Sequence, residues 1–179
     1  MGGVPGPQAA YVRHPAHLGR QNRNYAMTKM LTIRVIEQRD RESWDRLWSG
    51  YLTFYKATLP AAIYDSSFSR LLSADAREYR GLIAELNGEA VGLAHYLLHR
   101  DMWSVEDTCY LQDLFVDPQA RGAGAGRALI DEVARRAKAE GASDLYWHTQ
   151  EFNHTARRLY DQMATLTPFV KYDKPLSRN

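Results

Sequence analysis

One cysteine, Cys109, stands among 179 residues, so no internal disulfide can form, and its place at the start of an apolar strand pattern marks a small core residue rather than a nucleophile. Long apolar runs are missing too: nothing approaches the roughly 20 residues that span a bilayer. No hydrophobic signal-peptide core follows the N-terminus, so no membrane partner and a cytoplasmic location are expected. A surplus of one charge is also absent. Lys plus Arg total 23 against 21 Asp plus Glu, a formal net charge of +2, and no basic run interleaves with aromatics, which argues against nucleic acid. No metal site is expected. Residues 1–26 contain no acidic residue and no apolar periodicity, and they read as a disordered leader ahead of one domain over 27–179. Met27 and Met30 are candidate native starts, and prolines at 5, 7 and 15 argue against an amphipathic transit helix.

What is present centres on Tyr110–Asp131, YLQDLFVDPQARGAGAGRALID. Leu111, Leu114, Phe115 and Val116 form a strand-like run that Asp117-Pro118 stops. Arg121-Gly122-Ala123-Gly124-Ala125-Gly126 then crosses into Leu129, Ile130, Val133, Ala134 and Ala137 at helical spacing. The first N–H groups of a helix lack internal partners and carry partial positive charge, so such a junction attracts phosphate. Glycines at 122, 124 and 126 let a diphosphate approach the main chain, and Arg121 and Arg127 add charge. A flexible turn with a helix cap is the plainer reading, but a cap does not require three alternate glycines.

Two phosphate ligands fail on residue type. A dinucleotide fingerprint begun at Gly122 meets Arg127 where glycine is needed, and one begun at Gly124 meets Leu129. No Gly-Lys-Ser or Gly-Lys-Thr supplies a nucleotide-triphosphate loop.

The rest of the chain reads as alternating elements. Leu31–Ile36 is a strand. Asp40 caps a helix carrying Trp44, Leu47, Trp48, Tyr51, Leu52 and Tyr55, whose stripe is core except at its far end, Tyr51 to Lys56, a candidate substrate wall. Pro60 separates it from a second helix ending near Leu72. Arg80–Leu86 and Ala90–Arg100 are strands joined by Asn87-Gly88, a two-residue hairpin signal that makes the middle of the sheet antiparallel. Thr108–Val116 is a strand, a helix runs to about Glu140, and Asp144–Thr149 is a strand parallel to the one before that helix. Asn153–Met163 is a last helix and Pro168–Tyr172 a last strand.

Arg121-x-x-Gly-x-Gly after its strand, with Asn153-His154-Thr155-Ala156-Arg157-Arg158-Leu159-Tyr160, resembles the GNAT superfamily of acyl-CoA-dependent N-acetyltransferases over about 150 residues, a usual size for one domain. Leu111-Gln112-Asp113 and Tyr146 to His154 are most similar to the diamine acetyltransferases and the yeast-type acetyltransferases of histones, polyamines and D-amino acids. The resemblance implies an α/β (α+β) fold with a mixed, mostly antiparallel sheet, splayed central parallel strands and flanking helices. It also implies acetyl-CoA as cosubstrate, with Leu114, Phe115 and Val116 pairing with pantetheine and residues 121–127 on the pyrophosphate. A homodimer joined through the C-terminal strand is implied as well. Asn153 caps the last helix, contacts pantetheine, or both.

Tyr160 stands where the family has a tyrosine general acid, although it also falls on the apolar side of its helix with Ala156, Leu159 and Met163. Gln112 stands where relatives have a glutamate proposed as base, and an amide accepts no proton at neutral pH. Glu151, Asp113, Glu106, His148 or a water chain are its possible replacements. The need is real: an amine near pKa 10.4 is neutral about one part in 2,500 at pH 7, a handicap of roughly 4.6 kcal/mol. The reading is an enzyme acetylating a small-molecule primary amine in a ternary complex. A protein acetyltransferase and a non-catalytic acyl-CoA sensor are the alternatives, the last kept open by Gln112.

Overall fold

The computed structural model describes residues 30–176; the expected leader, residues 1–26, lies outside them. Five strands, β1 (Leu31–Val35), β2 (Arg80–Leu86), β3 (Glu89–Arg100), β4 (Asp107–Val116) and β5 (Ala142–Trp147), form one sheet in sequence order. β1 to β4 pair antiparallel and β5 joins β4 parallel. Helices α1 (Arg41–Phe54) and α2 (Ala61–Leu71) pack on one face, α3 (Ala125–Ala139) lies on the other, and α4 (His154–Tyr160) follows β5.

Each face has its own core. Leu82, Ala84, Tyr96, Cys109 and Leu111 meet Leu129, Ile130 and Val133 of α3, while Ile83, Leu93 and Phe115 meet Trp44, Leu47, Trp48 and Leu52 of α1 with Phe68 of α2. This is the alternation expected of a sheet covered on both faces. Cys109 is fully buried and burial pushes its thiol up to about 12, which suits a core residue. The β2–β3 turn is the one the sequence announces, with Asn87 and Gly88 both at positive φ.

β4 departs from simple pairing. His95 faces Asp113 while Tyr96 faces Leu111, so Gln112 is an extra residue, a bulge, and the face assignment changes phase across it. Before the bulge, Cys109 and Leu111 face α3; after it, Leu114 and Val116 do, and Phe115 turns to α1. The parallel ladder to β5 ends at Leu111↔Trp147. Gln112–Val116 therefore continue beyond β5, and the two strands part there.

Three expectations need correction. Asp40 precedes α1 without capping it by its side chain; its carboxylate accepts the Glu37 N–H at 2.7 Å and a two-oxygen pair with Arg34 at 2.6 and 2.7 Å, and Arg34 holds it below the usual carboxylate range. α4 ends at Tyr160 rather than Met163. The last strand, Pro168–Tyr172, does not form: the segment has no ladder partner among the described residues, and Phe169, Val170 and Tyr172 are exposed. An apolar run becomes a strand only where an edge receives it, and Pro168 brings no N–H.

Candidate active site

The glycine turn follows the end of β4. Gly122 and Gly124 have φ of 82° and 85°, a left-handed backbone that side chains disfavour by about 1–2 kcal/mol per residue. Gly124 is the N-cap of α3, and the first bond of that helix is Ala128 N–H to the Gly124 carbonyl at 3.0 Å. The N–H groups of Ala125, Gly126 and Arg127 thus precede the helical ladder and can receive an anion. Ala123 is half-buried, and the Ala125 methyl lies in the α3 core, so its contribution to a ligand would be backbone. Gly126 has a different reason from the one its spacing suggests: a Cβ there would stand 3.3 Å from Leu159 Cδ2, so its bareness lets α3 and α4 approach. Arg121 is exposed and reaches the Val116 carbonyl at 3.4 Å, while Arg127 donates to Gln162 Oε1 at 2.7 Å.

The parting of β4 and β5 opens a cleft lined by Tyr51 of α1 and Tyr55 just past its end, Leu111, Gln112 and Leu114 of β4, Trp147 and His148, and Tyr160. Tyr160 sits edge-on to Trp147 with ring centres 5.3 Å apart, and burial followed by the Tyr55 phenol pushes it up to about 12. It therefore keeps its proton at neutral pH, as a proton donor must. It also packs against the α3-side core, so the apolar and the cleft-lining positions are one. Asn153 caps α4 by accepting the Ala156 N–H at 3.3 Å, and its amide donates to Thr149 Oγ1 at 3.2 Å. Gln112 is exposed to the cleft, and its side-chain oxygen accepts the Tyr79 hydroxyl.

Among the substitutes for a glutamate at 112, Glu106 is tied to Ser104 in the loop before β4, about 20 Å down the strand from Gln112 at 3.3 Å per residue. Glu151 is exposed in the turn before α4 and does not line the cleft. His148 does line it, edge-on to Tyr110 and Tyr146. Asp113 is only 5% exposed, turned to the α1 side by the bulge. His95 Nδ1 lies 3.0 Å from its carboxylate, and the Trp44 indole N–H donates to His95 Nε2 at 2.8 Å. Tyr51 and Tyr55 were within reach of sequence reasoning as the far end of the α1 stripe. Tyr79 and His95 were not, since neither belongs to a local motif.

Residues 42–164 match the Acetyltransferase (GNAT) family. The chain belongs to that family. It is 36% identical over 145 residues to the D-amino-acid N-acetyltransferase HPA3 of Saccharomyces cerevisiae, covering 80% of this chain and 90% of the relative. A thialysine N-epsilon-acetyltransferase of Caenorhabditis elegans is 31% identical over 81 residues, covering 45% and 50%. In fold it is similar to AAC(6')-Iy solved with the bisubstrate analog CoA-S-monomethyl-acetylneamine, with a TM-score of 0.72, 20% identity, and 83% and 99% of the two chains covered. This GNAT chain is an acetyl-CoA-dependent N-acetyltransferase with the family's mixed sheet and flanking helices, and acetyl-CoA is its cosubstrate. Among the described residues no helix is long and apolar enough to cross a membrane.

Proposed function

We propose that the chain transfers the acetyl group to a primary amine of a small molecule, polyamine-like or amino-acid-like, by direct attack within a ternary complex. The observation that carries this reading is the cleft at the β4–β5 parting, where phenols from α1 and α4 face each other across the end of the glycine-turn strand. Pyrophosphate binds the N–H groups of the turn over residues 121–127, and pantetheine follows the β4 edge left free at Leu114, Phe115 and Val116, with Asn153 beside it. That path brings the thioester to Tyr160. The amine arrives from the α1 side, where the C-terminal end of a helix favours a cation and the rings of Tyr51 and Tyr55, 4.9 Å apart centre to centre, line the cleft.

In this reading Gln112, held by Tyr79, orients the amine, and Tyr160 protonates the departing thiolate. The identity to the yeast D-amino-acid and worm thialysine enzymes supports an acceptor of amino-acid size. The protein works in the cytoplasm as a homodimer, the exposed Leu166, Phe169, Val170 and Tyr172 being covered by the second copy; light scattering on the purified chain checks the dimer. A panel of diamines, D- and L-amino acids and lysine peptides, read by free-thiol release and mass of the product, tests the acceptor class. Turnover with small amines and none with peptides is expected; turnover with peptides alone would overturn it.

A further inference from the structure

We propose that His148 takes the carboxylate of the acceptor, which makes that acceptor an amino acid with a free carboxylate rather than a polyamine. The proposal rests on the acetyltransfer reading and narrows its acceptor.

The sheet places His148 for this. The parallel ladder ends at Leu111↔Trp147, so the next residues are Gln112 on β4 and His148 after β5, one on each side of the opening. Both line the cleft. Trp147 packs on the α3 side, so its neighbours Tyr146 and His148 turn to the α1 side by the alternation of an extended chain. That is the side from which the amine arrives. An acceptor with its amino group and carboxylate on one carbon can present the first to Gln112 and the second to His148.

The lining also decides the charge. No Asp or Glu is among the side chains on the cleft wall, and Asp113 lies behind it, so the second ammonium of a polyamine would have no counter-ion there. No Lys or Arg lines the cleft either, which leaves the His148 imidazole as the one lining group able to carry positive charge.

His148 is held in place with its nitrogens open. Two other histidines on the sheet have both engaged: His95 with Trp44 and Asp113, and His99 with the Arg100 carbonyl at 2.9 Å through Nδ1 and the Tyr146 hydroxyl at 3.0 Å through Nε2. His148 is exposed to the cleft, and among the described residues no protein group hydrogen-bonds to its ring. Aromatic contacts fix it instead. Tyr110 and Tyr146 stack with ring centres 5.0 Å apart, and the imidazole stands edge-on to both at 5.6 and 5.7 Å. A carboxylate can accept an N–H from such a ring, one from the neutral form or two from the charged form.

The test is kcat/KM of wild type, His148→Ala and His148→Gln for the panel's fastest amino acid, for its carboxamide and for 1,4-diaminobutane. The carboxamide keeps the amine and removes the negative charge, and comparing variants on the same pair cancels the difference in amine basicity. His148→Ala should lower the preference for the amino acid over its carboxamide by about 10-fold or more, mainly through KM. His148→Gln keeps an N–H donor and should retain part of that preference. An equal loss on both substrates, as a proton acceptor at 148 would give, overturns the proposal, and so does an unchanged preference. Turnover of 1,4-diaminobutane with every amino acid idle also overturns it while leaving acetyltransfer to small amines standing, whereas turnover of peptides alone overturns that reading itself.

Discussion

The glycine turn at the head of α3 and the tyrosine-walled end of the cleft suit partners of opposite charge and are built in opposite ways. The turn is one contiguous stretch whose backbone N–H groups and helix start favour an anion. The other end draws side chains from α1, β4, β5 and α4, with the buried Asp113 carboxylate behind them and the C-terminal end of α1 beside them. A site made of backbone fails when its conformation is disturbed. A site made of converging side chains loses function one group at a time.

That contrast orders the expected effects. Gly124→Glu should be the most damaging, because it forces a side chain onto a residue with φ of 85° and puts a carboxylate at the proposed diphosphate site. Acetyl-CoA should then give no thermal stabilisation, a loss of affinity of at least about 10²-fold, each tenfold being about 1.4 kcal/mol. An unchanged thermal shift would break the comparison at its donor end. Tyr160→Phe should lower kcat by about 10² to 10⁴ while acetyl-CoA still protects the fold, separating chemistry from binding. Wild-type turnover in that variant would leave water to protonate the thiolate.

Gln112→Ala should be milder, about tenfold or less in kcat, and Gln112→Glu should move the pH optimum downward by supplying a direct carboxylate base; steady-state profiles across pH check both. The smallest effect concerns stability. Tyr96 and Tyr160 are pushed by burial up to about 12 from 10.0. A raised pKa means that their contribution is complete below about pH 10 and is lost as pH rises toward about 12. Urea midpoints should be flat from neutral pH to about 9 and fall above 10, less steeply in Tyr96→Phe.

Legibility followed the same division. The order of strands and helices, the Asn87-Gly88 hairpin and the turn at 121–126 were readable because each depends on residues adjacent in sequence. The family resemblance singled out Tyr160, which lines the cleft, and Asn153, which caps α4, and their spacing about one short helix is also local. The bulge was missed although its trace is there: Cys109 and Leu111 sit on odd positions, then Leu114 and Val116 on even ones, a phase change that only an extra residue explains. His95 and Trp44 are 51 positions apart and meet across the sheet. No periodicity within either element encodes that bond. Pro168–Tyr172 misled because apolar character states what must be covered, not what covers it.

The most direct test is a crystal structure with CoA and the best amine from the panel. The pyrophosphate should lie on the N–H groups of residues 122–127, pantetheine along Leu114–Val116, the sulfur within hydrogen-bonding reach of the Tyr160 hydroxyl, and the amine between Gln112 and Tyr55. A pyrophosphate bound away from the turn, or an amine approaching from the side opposite α1, would contradict it.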